Sequence, residues 1–263
     1  MKIGFIGCGN MGGALATAIS ATPDAEVFVF DFDDNKTCTL NKKCGCIPTT
    51  PEALGQTCEF IFLGVKPAAI SAAIDGISTQ LTKNKNAVII SMAAGVSIEK
   101  IENSLPCPHP VIRIMPNTPV SVGMGVTVYS TNALVDEKTE KAFLHIMSHT
   151  GLVDKIPEEL IDSACAVSGC GPAFAYMFAK ALADGGAECG LSYDKAMLYA
   201  TEMISGAMEM IKRTGKAPEQ LKNEVCSPGG STIEGVHALE DGAFHSTCSD
   251  AVVAAYEKTK KLG

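Results

Sequence analysis

With 263 residues, 46% of them hydrophobic and 19% charged, the chain can bury one large core or two medium ones. A net charge of −8 excludes a surface built to neutralise an extended phosphate backbone, so nucleic acid is not expected as a partner. The most apolar stretch, Pro172 to Ala183, is interrupted by Lys180 and falls well short of the ~20 residues that span a bilayer, so no membrane is expected either. Lys2 runs at once into a glycine turn instead of an apolar signal segment, and the sequence reads as cytoplasmic. Its eleven cysteines include one close pair, Cys44-Gly45-Cys46, with no C-x-x-C and no second cluster at zinc spacing. Reduced thiols and no metal are expected; Cys58, Cys165 and Cys189 lie in apolar runs and read as small core residues.

The first element is an apolar strand, Ile3 to Ile6, leading into Gly7-Cys8-Gly9-Asn10-Met11-Gly12 and then a helical run. This is the G-x-G-x-x-G pattern in the setting that gives it meaning, after a strand and opening a helix. Gly7 permits the tight turn, Gly9 lets a pyrophosphate approach the backbone, and Gly12 lets helix and strand pack closely. The phosphates would rest on free N–H groups of the helix start, where Asn10 and Met11 stand. Glu26 to Asp31 reads as a buried parallel strand ending in an acid, 19 positions after Gly12. In a dinucleotide fold, that carboxylate accepts hydrogen bonds from the adenosine ribose.

Asp33 or Asp34 then opens a polar helix carrying Lys36, Lys42 and Lys43, and Thr50-Pro51-Glu52 starts another. Strands are expected at Glu59 to Val65, Ala87 to Ser91, Val111 to Met115 and Gly125 to Tyr129. A helix from Pro67 places Ile70, Ile74 and Ile77 on one face, continued by Leu81. A helix from Asp136 to about His149 and a short strand, Gly151 to Val153, complete an alternating βα pattern. Ligands bind at the carboxyl ends of strands in such sheets, which makes the segments Gly64 to Pro67, Met92 to Gly95 and Pro116 to Pro119 informative. Val65, Lys66, Pro67, Ala93, Ala94, Gly95 and Asn117 are accordingly cofactor candidates, and Glu158 is placed with them. The plainer readings are a solvated loop lysine at Lys66 and a first-turn acid at Glu158. Arg113, inside a strand, reads as a structural partner, and His145 with His149 as a surface pair.

After Pro157 helical patterns dominate. The expected division is a dinucleotide-binding Rossmann domain over 1–157 and an all-α substrate-binding and dimerisation domain over 158–263. Ala196, Ala200, Met203, Ile204, Ala207 and Ile211 form one apolar face. Pro172 to Ala183 is apolar almost all round, which predicts burial on several sides and packing against a second subunit. Two glycine-rich turns stand out: Ser168-Gly169-Cys170-Gly171-Pro172, and Cys226-Ser227-Pro228-Gly229-Gly230-Ser231-Thr232. The second sets flexible glycines, two hydroxyls and unpaired N–H groups at a helix start, with no acid before Glu234, and suits a carboxylate. The plain alternative is a helix capped by Ser231, for which one glycine would suffice.

The segments G-C-G-N-M-G (7–12), G-V-K-P (64–67), M-A-A-G-V-S (92–97), R-I-M-P-N-T-P (113–119), S-G-C-G-P-A (168–173), A-L-A-D-G-G (181–186) and C-S-P-G-G-S-T-I (226–233) resemble those of the pyrroline-5-carboxylate reductases. The resemblance covers nearly the whole chain. It implies a Rossmann domain followed by helices that interlock between subunits, as a homodimer or higher homo-oligomer, with the pocket between the two domains. It implies NAD(P)H as cofactor and a cyclic imino acid as substrate. Its carboxylate would lie on Gly229, Gly230, Ser231 and Thr232, with Ser168 and Gly169 in the same site. Thr232 would stand near the ring nitrogen, and catalysis falls to Thr232 and Ser227. Family members often carry small polar or basic residues where Asp31 to Asp34 stand here, and this departure favours NADH.

The implied reaction is hydride transfer to the C=N carbon of 1-pyrroline-5-carboxylate, giving L-proline. A protonated cyclic imine is already electrophilic, so positioning is the main catalytic task. That agrees with the lack of an obvious His–carboxylate or Lys dyad in the helical half. A β-hydroxyacid dehydrogenase shares the two-domain plan but needs a base. Four residues after Gly171, where those enzymes place a lysine after a similar turn, stands Ala175. A related imine reductase is a further alternative, and the 226–232 turn argues against a non-catalytic dinucleotide sensor.

Overall fold

A computed structural model describes residues 1–261, which divide into two compact units: residues 1–170 with the chain from Ala254 onward, and residues 171–253. The described residues of the first unit form one sheet from β1 (Lys2–Ile6), β2 (Glu26–Phe30), β3 (Ile47–Pro48), β4 (Phe60–Leu63), β5 (Val88–Ser91), β6 (Val111–Met115), β7 (Gly125–Thr131) and β8 (Gly151–Lys155), in the order β3-β2-β1-β4-β5-β6-β7-β8. From β3 to β6 every neighbouring pair is parallel.

Successive strand residues feed opposite faces of this sheet, as the period of two requires. Phe5, Phe62, Ile90, Ile112 and Ile114 join the core that also holds Leu15 and Ile19 of α1 (Asn10–Ile19) and Leu40 of α2 (Asp34–Cys44). Their neighbours Ile6, Ile61, Leu63, Ile89 and Val111 join a second core. That core takes Leu54 from α3 (Pro51–Thr57), Ile74 from α4 (Ile70–Asp75), Leu81 from α5 (Ser78–Leu81) and Ile101 from α6 (Ile98–Glu102). Phe143 and Ile146 of α7 (Glu137–Ile146) return to the first. The Rossmann-type doubly wound architecture follows from strands buried on both faces.

The structure departs from the sequence reading at several points. The alternation does not run to the end: β7 is antiparallel to β6, and β8 pairs parallel with β7. Only residues 116–124, with a five-residue 3₁₀ segment at Thr118–Val122, separate β6 from β7, too short for the crossover that a parallel neighbour needs. The expected helix from Pro67 is a 3₁₀ turn (Pro67–Ala69), then α4 and α5, interrupted at Gly76 and Ile77. Helix α7 stops at Ile146, ahead of His149, and β8 extends two residues beyond Val153 to Lys155.

Beyond β8 the chain continues through α8 (Ile161–Ala164) and a π-helical turn, Cys165–Gly169. The helices that follow are α9 (Gly171–Glu188), α10 (Tyr193–Thr214), α11 (Pro218–Val225), α12 (Ser231–Asp241) and α13 (Phe244–Thr259). The second unit departs from the sequence reading at Cys189, and the single chain alone leaves much of Pro172 to Ala183 uncovered. Within Pro172 to Ala183 only Ala179 and Ala183 are buried, whereas Tyr176 and Met177 are exposed, and Cys189 is exposed rather than core. An all-round apolar helix is hidden from water only when every face has a neighbour, and a single chain does not supply them here.

Candidate active site

The parallel order β2-β1-β4-β5-β6 puts the turns after these strands side by side at one edge of the sheet. That edge carries Gly7 to Gly12, Asp31, Gly64 to Pro67, Met92 to Gly95 and Asn117, so the cofactor candidates before Glu158 are gathered within the first unit. Gly7 has φ +97°, a conformation that a side chain would strain, and its N–H donates to the Phe30 carbonyl at 2.8 Å. A methyl group on Gly12 would run into the Gly7 carbonyl oxygen, and one on Gly64 would come within 2.5 Å of it. Turn, helix and β4 thus meet backbone to backbone. Gly9, by contrast, faces open space and is the cap residue of α1, with no side chain over the helix's free N–H groups. Asn10 is exposed and Met11 half-buried beside it, Lys66 projects into solvent, and Ala93 is buried.

Asp31 closes the end of β2. One of its oxygens accepts from the Cys8 N–H at 2.7 Å, the other from the Asp33 N–H at 3.0 Å and from Lys36 Nζ at 3.1 Å. Burial works to raise its pKa, but these backbone and lysine hydrogen bonds hold the carboxyl below the usual range. Burial, and behind it the Asp31 charge, pushes the Cys8 thiol up to about 12, so it remains a neutral wall. Cys8, Asn35, Lys36, Thr39 and Leu40 line a cavity of about 250 Å³ there. Asp33 caps α2 by accepting from the Asn35 N–H. Phe32, which the sequence reading passed over, is 97% exposed between two acids and stands edge-on to Phe30. An aromatic residue among acids directly after a strand was the available signal.

Two other candidates have committed side chains. Asn117 donates from Nδ2 to the Ser168 carbonyl at 2.9 Å and accepts at Oδ1 from the Val126 N–H at 2.8 Å. It joins the turn after β6 to the π-helical segment that holds Ser168 and Gly169. Irregular turns of this kind recur at functional sites. Glu158 accepts at Oε1 from the Ile98 N–H at 2.7 Å and from Arg113 Nη1 at 3.2 Å. Arg113, nearly buried in β6, gives its other terminal nitrogen to Asp162 at 2.8 Å. Both pairings escaped the sequence reading; a lone arginine in an apolar strand was the hint.

In the second unit, α12 has Gly230 as its cap residue and no side chain on its first N–H groups, so Ser231 is the first helical residue and not the cap. Gly229 takes φ +68°, and the Gly230 N–H donates to the Ser227 carbonyl at 3.0 Å, folding the turn back on Ser227. Ser227, Ser231 and Thr232 are all exposed. Glu224, upstream, is held by Lys216 at 2.8 Å. The result is an open run of N–H donors flanked by hydroxyls, which suits an anion.

Comparison with known proteins identifies the family. Residues 158–262 match the family described as pyrroline-5-carboxylate reductase dimerisation, and residues 2–95 match NADP oxidoreductase coenzyme F420-dependent. The chain is 38% identical over its full length to pyrroline-5-carboxylate reductase 3 of Danio rerio, covering 92% of that protein. It is 34% identical over 99% of its length to pyrroline-5-carboxylate reductase of Escherichia coli (strain K12), covering 98% of it. The crystal structure of Plasmodium falciparum pyrroline carboxylate reductase with NADP bound superposes with a TM-score of 0.90 at 32% identity, covering all of this chain and 98% of the other. Full-length likeness at this identity, together with the glycine turn and the open 226–232 turn, establishes that the chain belongs to the pyrroline-5-carboxylate reductase family.

Proposed function

We propose that this protein reduces 1-pyrroline-5-carboxylate to L-proline with a reduced nicotinamide dinucleotide. The observation that carries the reading is the uncapped start of α12, with Gly229 in the left-handed region and Ser231 and Thr232 beside the free N–H groups. The glycine cradle fits a dinucleotide: Gly9 leaves room for a pyrophosphate, and Gly7, Gly12 and Gly64 allow no bulkier residue. Bound there, the reduced nicotinamide supplies the hydride. Gly7, Gly9, Asn10, Met11 and Gly12 hold the phosphates, Asp31 the ribose, and Phe32 offers a face for the adenine. Val65 to Pro67 and Ala93 to Gly95 flank the cofactor. Asn117 and Glu158 act at one remove, by fixing Ser168 and the start of α6.

Gly229 to Thr232 take the substrate carboxylate, and Thr232 hydrogen-bonds near the ring nitrogen with Ser227 in support. A neutral hydroxyl suffices, since the protonated imine needs orientation more than a base. Domains of 1–157 and 158–263, the second joining two copies in a homodimer or a larger ring, follow the family match and the outward apolar helices. No helix among the described residues is long and apolar enough to cross a membrane; the cytoplasmic location proposed here rests on the sequence reading.

NADH is the preferred donor, even though the Plasmodium falciparum relative carries NADP. A 2′-phosphate would meet Asp31, Asp33 and Asp34, while Lys36 is already drawn to Asp31. One like-charge contact ~4 Å apart at an effective dielectric of ~20 costs about 4 kcal/mol, an upper guide at this exposed rim. The deciding assay follows oxidation of NADH and of NADPH on addition of the imine. Imine-dependent oxidation with formation of proline is expected, faster with NADH. Oxidation of neither cofactor would overturn the reading.

A further inference from the structure

Cys44 ends α2, Cys46 stands next to β3, and Gly45 between them adopts the left-handed conformation with φ 74°. The turn brings the two sulfurs to 3.4 Å of each other. The thiols are unequal. Cys44 is half-buried and also reaches the Leu40 carbonyl at 3.1 Å and the Thr17 hydroxyl at 3.9 Å. Cys46 is 1% exposed and lies against the Ala16 carbonyl of α1. Burial opposes ionisation at both. At Cys44 it is outweighed by hydrogen bonding with Cys46, Ser20 and Thr17, which holds that thiol below its ordinary range, whereas burial drives Cys46 up. An accessible, more readily ionised thiol beside a buried one that can resolve it is the arrangement of redox-responsive cysteines.

We propose that Cys44 and Cys46 form a reversible dithiol–disulfide site for peroxide. In the first step the Cys44 thiolate attacks one oxygen of hydrogen peroxide. The O–O bond breaks, and the departing hydroxide takes up the proton that Cys44 released, leaving a sulfenic acid and one water. The Cys46 sulfur then attacks the Cys44 sulfur, the S–O bond breaks, and hydroxide leaves with the Cys46 proton as a second water. Two thiols lose two electrons and one peroxide gains them. Closing 3.4 Å to a bond of ~2.05 Å asks the sulfurs to approach by roughly 1.3 Å, within the reach of side-chain rotation. The bond would tie the last turn of α2 to the segment leading into β3. The site is independent of the reductase reading.

The test uses the full-length protein, reduced, desalted and exposed to hydrogen peroxide, then alkylated and digested with trypsin and Glu-C. The peptide Cys44–Glu52 carries this pair and no other cysteine. The expected result is loss of two hydrogens and of both alkylation sites from that peptide, roughly tenfold faster than oxidation of exposed Cys38, and reversal by dithiothreitol. In Cys46→Ser the sulfenic acid at Cys44 should persist and be trapped by dimedone. A peptide that stays doubly alkylated while Cys38, Cys189 and Cys248 oxidise would overturn the proposal, as would a disulfide joining Cys44 to any other cysteine. The wild-type measurement decides even if the Ser variant fails to fold.

Discussion

The central strands β1, β4, β5 and β6 bury all of their large apolar side chains, from Ile3 and Phe5 in β1 to Ile112 and Ile114 in β6. Among the described residues of 171–253, the buried ones are four alanines: Ala179 and Ala183 on α9, Ala196 and Ala200 on α10. Small residues let these two helices approach closely, while Tyr176, Met177, Leu198, Tyr199, Met203 and Met208 face outward. One chain finishes the first unit; the second is left open. Exposed apolar surface on this scale marks an association face, and the family match over 158–262 supplies its partner, another copy.

The sharpest way to break this contrast is to charge the outward face of α10. Tyr199 and Met203 lie one turn apart, 54% and 50% exposed in the single chain. Tyr199→Glu with Met203→Glu places unpaired charges in the association face, at several kcal/mol each. Light scattering should show a monomer, with activity down more than about 100-fold and NADH binding by the first unit retained. An active dimer would refute the role given to that face. Gly12→Ala attacks the finished unit instead. The added methyl meets the Gly7 carbonyl, and overpacking of about 1–3 kcal/mol should weaken NADH binding by roughly 10- to 100-fold in a fluorescence titration.

Thr232→Ala probes the open unit's chemistry without touching its packing, since Thr232 is exposed. Loss of a hydrogen bond to a charged group, about 1.5–3 kcal/mol, should lower kcat by roughly one to two orders of magnitude, with Thr232→Ser keeping most of it. A normal turnover number with a lowered Tm would reduce Thr232 to a structural role. The smallest effect is expected at Asp31. Its folded-state pKa is depressed, so its stabilisation is complete above the ordinary carboxylate value of ~3.9 and fades as pH falls through the folded value. Asp31→Asn should flatten the fall of Tm below about pH 4 and shift kcat/KM several-fold from NADH toward NADPH. An unchanged cofactor ratio would remove Asp31 from specificity.

What was legible in the sequence was local. The glycine turn, Asp31 and the Thr50-Pro51 helix start are written in adjacent residues, and the two-sided burial of β4 and β5 follows from unbroken apolar runs. Strand direction was not, because the reversal at β7 depends on the shortness of a connection rather than on the strand's own residues. β3, two residues long and containing Pro48, has no periodicity to read. The Asn117–Ser168 and Arg113–Asp162 contacts join residues 51 and 49 positions apart, and no local pattern announces them. Pro172 to Ala183 shows a different limit. Its composition states that the helix is covered, and is silent on which chain covers it.

The four alanines and the methionines outside them have a consequence at the scale of the cell. Where a second copy completes a unit, that copy acts as a ligand of the folded state, and stability rises with the logarithm of protomer abundance. If turnover needs that second copy, specific activity depends on dose: a diluted sample should lose rate before any bond is broken, and dithiothreitol or fresh cofactor should not restore it, whereas reconcentration should. When copies are scarce, halving their number removes more than half of the catalytic output, so expression level becomes a steep control on this enzyme with no allosteric site required.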